Sequence, residues 1–305
     1  MAALRSLLVV RQGALVGERY YRGATADGLH GINSVTKSVT SMLVGLSLHQ
    51  GVLSNLQQTV GALLPEAAAA QPAAPANAAT LAQLLTGPSG LAYDYRYQYR
   101  ALGSAADPVR FAQALPLAPA PASGPAPWVY NDAAVGLLSP ILARAHGQRL
   151  DQLAAQALFA PLGIARHEWA LDRAGQATAY AGLRLRPRDL AKLAWLMANG
   201  GRWGETQVLP ATWVADSTRM HVPASWQVEP VAQVGYGYLW FTGQLQGRAV
   251  AWGWGYGAQF ALLAPSLGLA VVTTATDPLP QNLPAQNQAV MALVARVVGW
   301  AAARA

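Results

Sequence analysis

The sequence predicts an α+β fold, an antiparallel sheet built from both chain ends with a mainly helical region inserted between them. Three observations carry this. Strand-like segments open the chain and dominate it after residue 234. Helical periodicity fills the middle. Residues 284–303 close the chain as an apolar-faced helix.

Taken in order, residues 4–21, "LRSLLVVRQGALVGERYY", predict two strands around a turn at Gln12-Gly13. Residues 34–50 predict a helix with Ser34 near its start, Met42, Leu43, Leu46 and Leu48 in an apolar run, and Gly51 as its stop. From 55 to 127 the chain is rich in Ala and Pro, and "PEAAAAQPAAPANAAT" and "LPLAPAPASGPAP" are expected as low-complexity loops. They flank a helix at 80–86 and a tyrosine-rich stretch, "YDYRYQYR". Helices follow near 132–146 and 150–158. "RPRDLAKLAWLMANGG" is a helix with a glycine stop, and "RWGETQVL" a short hairpin or loop. "VGYGYLWFTG", "RAVAWGWGYG", "AQFALLAP" and "LGLAVVTTA" then read as strands separated by Gly and Pro. The expected organisation is a sheet domain from 1–50 and 205–305 that includes the 34–50 helix, a mainly helical domain over 51–204, and an active site between them.

Composition narrows the function. At 305 residues the chain can bury a large core, and 53% of it is hydrophobic while 11% is charged. The formal charge of +7 is carried by scattered arginines, with no basic block, so no nucleic-acid partner is expected. There is no cysteine, which removes disulfides, thiol nucleophiles and thiolate metal sites. The five histidines show no metal-ligand spacing. No metal and no cofactor are expected. No stretch reaches the roughly 18 apolar residues of a membrane helix; "FALLAPSLGLAVVTTA" comes closest, but Pro265 breaks it. The chain opens on a strand-like segment with no signal peptide in view, which leaves compartment open, as it leaves oligomeric state.

Only two of the 21 basic residues are lysines, Lys37 and Lys192. Lys37 lies three residues after Ser34, and on a helix that spacing puts both side chains on one face. A serine hydroxyl is a poor nucleophile until a base stands within hydrogen-bond reach. A buried lysine can lose its proton, as arginine cannot. The helix N-terminus would also favour negative charge at Ser34. Alone, Ser-x-x-Lys is equally a capping serine beside a surface lysine.

The wider pattern is more specific. "SVTKS" followed by "MLVGL" resembles the nucleophile helix of the serine β-lactamase and penicillin-binding-protein superfamily. Its class C branch also holds esterases, D-amino-acid peptidases and 6-aminohexanoate-oligomer hydrolases. That branch implies a Tyr-x-Asn some 90–100 residues on, and the chain has "WVYNDAAVGLL". Tyr130 stands in the expected place, and Asp132 replaces the Asn, offering Lys37 a counter-ion. Trp128 precedes it as an expected cleft residue. "AWGWGYGAQ" is similar to the "WGYGGQ" form of the third family motif, with Trp254 at the Lys/His position and Gly255 letting the backbone approach the substrate. "LLTGPSGL" and the segment 182–214 resemble further, structural stretches of the branch. The likeness runs from about residue 8 to 300.

The resemblance implies a serine hydrolase with an acyl-enzyme on Ser34, Lys37 and Tyr130 as the base pair, and an oxyanion hole from the N–H groups of Ser34 and Tyr256. The neighbouring ammonium is expected to lower the Tyr130 pKa. Asp132, Trp254, Gly255 and Trp128 are the expected substrate-binding residues. Trp254 offers no cation for a β-lactam carboxylate, so β-lactamase activity is expected to be weak. The leading expectation is a carboxylesterase on small esters. Alternatives are an amide hydrolase of the 6-aminohexanoate-oligomer or D-aminoacyl type, a β-lactamase, and a catalytically inactive penicillin-binding-like protein. Ser-His-Asp chemistry is disfavoured, since the sequence has no Gly-x-Ser-x-Gly.

Overall fold

In the computed structural model, residues 3–119, 123–124 and 126–304 are described. Eight strands form the main sheet: β1 (Leu4–Arg11), β2 (Ala14–Tyr20), β3 (Val222–Pro223), β4 (Ala232–Tyr236), β5 (Phe241–Leu245), β6 (Arg248–Gly255), β7 (Gln259–Ala264) and β8 (Leu269–Ala275). Their order is β2-β1-β8-β7-β6-β5-β4-β3, antiparallel throughout. The first strand thus pairs with the last, Leu8 facing Val272 and Val10 facing Ala270. The β1–β2 turn falls at Gln12 and Gly13, both at positive φ, as a tight hairpin requires.

The helices that bear on the site are α1 (Val35–His49), α2 (Leu81–Thr86), α3 (Tyr95–Ser104), α4 (Asp132–Gly136), α5 (Leu138–His146), α6 (Pro187–Ala198) and α7 (Leu283–Ala302). Every residue of α1 from Val35 to Ser47 is buried, so it is a core helix rather than an amphipathic surface one. It lies against β6, where a Cβ on Gly253 would come within 2.9 Å of Val35 and Ser38. Helix α6 packs on β1, β7 and β8, so the sheet's layers draw on residues N-terminal to the expected boundary at 204. One hydrophobic cluster runs from Leu4 to Ala301 through the sheet and the helical region alike.

The first Ala/Pro-rich stretch is not a loop. Pro65–Ala70 is helical with Pro at its start, and Pro75–Ala78 forms a 3-10 turn. Alanine is the best helix former and proline is well placed at a first turn, so the composition that read as low complexity builds short helices. Most of "LPLAPAPASGPAP" is described as non-helical, and residues 120–122 and 125 within it lie outside the described residues. The tyrosine-rich stretch becomes α3, N-capped by Asp94. Pro265 ends β7 in a 3-10 turn, and "FALLAPSLGLAVVTTA" is two strands. Among the described residues no helix is long and apolar enough to cross a membrane.

Candidate active site

Ser34 is the N-cap residue of α1, and Lys37 sits one turn on. Lys37 is only 2% exposed, and its Nζ has three oxygen neighbours: Ser34 Oγ at 3.0 Å, the Tyr180 carbonyl at 2.9 Å and Asp132 Oδ1 at 2.7 Å. The Tyr180 carbonyl accepts one of its N–H bonds, and Asp132 is its ion-pair partner. The third direction points at Ser34, the one partner that can accept or donate. The charged amine donates to that oxygen; a neutral amine turns its lone pair toward the same hydroxyl.

Asp132 opens α4, and Asn131 before it caps that helix, its Oδ1 accepting from the Ala134 N–H at 2.9 Å. The cap commits Asn131 to the backbone and leaves Asp132 free to meet Lys37. Tyr93 donates to the other Asp132 oxygen at 3.4 Å. Two polar side chains so deeply buried are tolerated because each has the other as its partner.

Tyr130 completes the group. Its phenol hydrogen-bonds with Ser34, and the Lys37 Nζ lies 4.6 Å from its ring centroid. The expected lowering of its pKa is not what the site produces. Burial first, and then the Asp132 carboxylate, push Tyr130 well above the ordinary phenol value, with the Ser34 hydrogen bond offsetting part of the rise. The carboxylate paired with Lys37 adds to the effect of burial, since its negative charge opposes a second one on the phenol.

The cleft in front of Ser34 has a volume of about 810 Å³. Tyr130, Asp132, Trp254 and Tyr256 stand on its walls. Trp128 does not. It is 9% exposed and packs behind Tyr130 among Trp226, Tyr236 and Phe241, so the expected substrate contact is a core residue. Gly255 serves a close approach different from the expected one. A Cβ there would stand 2.4 Å from the Ile32 carbonyl and 3.2 Å from Asn33 Cβ, so its bare backbone lets β6 close on the segment that carries Ser34.

Several site residues were not foreseen. Asn33, at φ +49, donates through Nδ2 to the Tyr256 carbonyl at 2.8 Å and to Asp277 Oδ1 at 2.9 Å, tying the residue before the serine to the residue after β6. Trp226 stacks on Tyr130 at 4.5 Å between centroids and meets Tyr95 and Trp254 edge-on. Tyr95 and Tyr99, four apart on α3, line the cleft together. That i,i+4 spacing in "YDYRYQYR" was the one signal available for them. Among the described residues no group of three or more His, Cys, Asp or Glu side chains is placed to hold a metal ion.

An antiparallel sheet joined at both chain ends, with a buried Ser-x-x-Lys helix against its middle strands, defines the β-lactamase and penicillin-binding-protein type of fold. A family profile described as Beta-lactamase matches residues 5–296, and the chain belongs to this family of serine hydrolases. Three solved structures illustrate the fold. A putative 6-aminohexanoate-dimer hydrolase from Bacillus anthracis is 20% identical, with a TM-score of 0.79 over 97% of this chain and 80% of its own. The octameric penicillin-binding protein homologue from Pyrococcus abyssi is 18% identical, with a TM-score of 0.75 over 95% and 73%. A class C beta lactamase from Rhodobacter sphaeroides is 18% identical, with a TM-score of 0.68 over 97% and 95%. At these identities the likeness is one of fold. No curated protein matches the sequence closely enough to serve as a relative.

Proposed function

We propose that the protein is a serine hydrolase that forms an acyl-enzyme on Ser34, and that it acts on small carboxylic esters. The observation that carries this reading is the Lys37 Nζ, held by the Tyr180 carbonyl and the Asp132 carboxylate and aimed by its third direction at Ser34 Oγ, 3.0 Å away. Ser34 Oγ attacks the ester carbonyl carbon as its proton passes to the Lys37 lone pair. The oxyanion forms against the backbone N–H groups of Ser34 and Tyr256. Tyr130, whose raised pKa keeps it a neutral phenol, gives its proton to the leaving oxygen and is reprotonated from Lys37. Water then releases the acid and restores the serine. Asp132 holds Lys37, Trp254 lines the wall beside the scissile bond, and Gly255 lets β6 close on the segment that carries Ser34.

The rings around the cleft suit apolar acyl groups. Trp254 presents an indole where lactam-hydrolysing members present a cation, so β-lactams are poor substrates in this reading. An amide hydrolase is the second reading, favoured by the likeness in fold to the putative 6-aminohexanoate-dimer hydrolase.

The test is hydrolysis of p-nitrophenyl acetate and butyrate by the wild type and by Ser34→Ala, with intact mass measured after a fluorophosphonate probe. The expected outcome is a loss of about 10³-fold or more in kcat/KM and no adduct on the variant, as for other nucleophile removals. Nitrocefin turnover stays far below ester turnover. Equal rates in the two proteins, with no adduct on either, leave a non-catalytic relative of the penicillin-binding proteins as the better reading.

A further inference from the structure

The cleft walls contain more aromatic surface than packing uses. Tyr95, Tyr99, Trp226, Trp254 and Tyr256 all line it, and Tyr99 and Tyr256 are still 45% and 37% exposed. Ring faces are electron-rich and attract cations, most strongly where water is displaced.

The charges on the same walls point the same way. Asp277 accepts a hydrogen bond from Asn33, and Glu229 accepts one from Gln288 at 3.1 Å, yet neither forms an ion pair with a described residue. Arg100 is the single cation on the described walls. A chain of formal charge +7 therefore reverses sign locally at its candidate active site. Asn287 adds an independent observation. It lines the cleft from α7, is 8% exposed, and its Oδ1 has no hydrogen-bond partner among the described residues. A buried acceptor left without a donor costs on the order of 1–3 kcal/mol. A ligand that brings a positive charge and N–H or polarised C–H donors meets all three features.

The placing of Asp277 makes the need sharper. It touches Asn33, the residue before the nucleophile, and burial raises its pKa. Tyr99, across the cleft, feels both Asp132 and Asp277, each raising its pKa after burial has done so. A negative charge this close to a forming oxyanion opposes it. A cation bound between them removes the opposition.

We propose that the cleft selects esters carrying an alkylammonium group, held against the Asp277 carboxylate and the faces of the surrounding rings, with Glu229 and Asn287 completing a region of negative potential. This rests on the acyl-enzyme reading of Ser34.

Two matched pairs test it on the wild-type protein. One pair places the cation on the acyl side: p-nitrophenyl 6-(trimethylammonio)hexanoate against its neutral isostere p-nitrophenyl 7,7-dimethyloctanoate. The other places it on the alcohol side: butyrylcholine against 3,3-dimethylbutyl butyrate. The expected result is a preference of about tenfold or more in kcat/KM for the cation in at least one pair, falling at high salt. Phenyltrimethylammonium then inhibits neutral-ester turnover competitively. In Asp277→Asn the cation-to-neutral ratio collapses toward one; a ratio that stays at the wild-type value overturns the role of Asp277. Should Asp277→Asn fail to fold, the wild-type ratio and the inhibition decide. Equal or slower turnover of the cationic ester in both pairs overturns the proposal while leaving Ser34 chemistry intact. Failure of every ester, with Ser34→Ala indistinguishable, strikes the underlying reading instead.

Discussion

The pairing of Lys37 with Asp132 is the arrangement from which the other site properties follow. Both side chains are nearly inaccessible, 2% and 3% exposed, so neither charge has water to fall back on. Removing one partner strands the other, which costs about 3–5 kcal/mol in comparable buried pairs, whereas replacing both with apolar groups is often neutral. Asp132→Ala is accordingly expected to lower the unfolding free energy by about 3 kcal/mol in urea titrations. The double variant Lys37→Met/Asp132→Leu recovers most of that loss while remaining inactive. A single variant as stable as the wild type removes the argument that Lys37 and Asp132 depend on each other for their burial. Tyr130 belongs to the same balance: burial, and then the Asp132 carboxylate beside it, keep its phenol protonated, as its proposed role as donor to the leaving group requires.

At the scale of elements, local rules carried far. The strand pair before residue 21, the buried helix after Ser34, the helix over 187–198 and the terminal helix all follow from periodicity and glycine stops. Ser34 and Lys37 were legible because three residues on a helix is a fixed geometry. Asn33 and Asp277 were not, because 244 residues separate them and only the tertiary fold brings the segment after β8 to the residue before Ser34. Trp128 and Trp226 look alike in sequence. Which ring faces the cleft depends on the packing of four neighbouring aromatics, a tertiary matter that periodicity does not encode. Gly255 gives this scale its prediction. The atom that a new methyl would meet at 2.4 Å is a backbone carbonyl, which cannot swing aside. Gly255→Ala is expected to cost about 1–3 kcal/mol in stability. It should also cost about 10²-fold in kcat, because it pushes β6 away from Ser34. Gly103→Ala, in α3 with nothing within 4 Å, is expected to be neutral or stabilising by up to about 1 kcal/mol in the same melts. Equal effects of the two would show that the β6 approach does not constrain the site.

For the whole molecule, the first and last strands of the sheet are tied to the segment that leads to Ser34. His30, four residues before Ser34, shares a hydrogen bond of 2.6 Å between Nδ1 and Thr274 Oγ1, and Thr274 is in turn 2.6 Å from Ser6 Oγ. This short chain joins β8, β1 and the entry to α1. The ring is 2% exposed, and burial, with Arg5 and Arg184 nearby, lowers the His30 pKa to about 4. The unfolded chain takes up its proton near pH 6.5, well before the folded one does. The folded state is therefore favoured by the full amount above about pH 6.5, and that advantage is lost as pH falls toward 4. A shift from 6.5 to about 4 corresponds to at most about 3 kcal/mol. His30→Asn keeps a polar atom for Thr274 but no ring to protonate. Its melting temperature is expected to fall less steeply than that of the wild type between pH 7 and pH 4.5, and to converge with it at the acid end. Parallel pH profiles for the two proteins would place the acid sensitivity in the carboxylates and leave His30 a packed, permanently neutral strut between the chain ends and the serine helix.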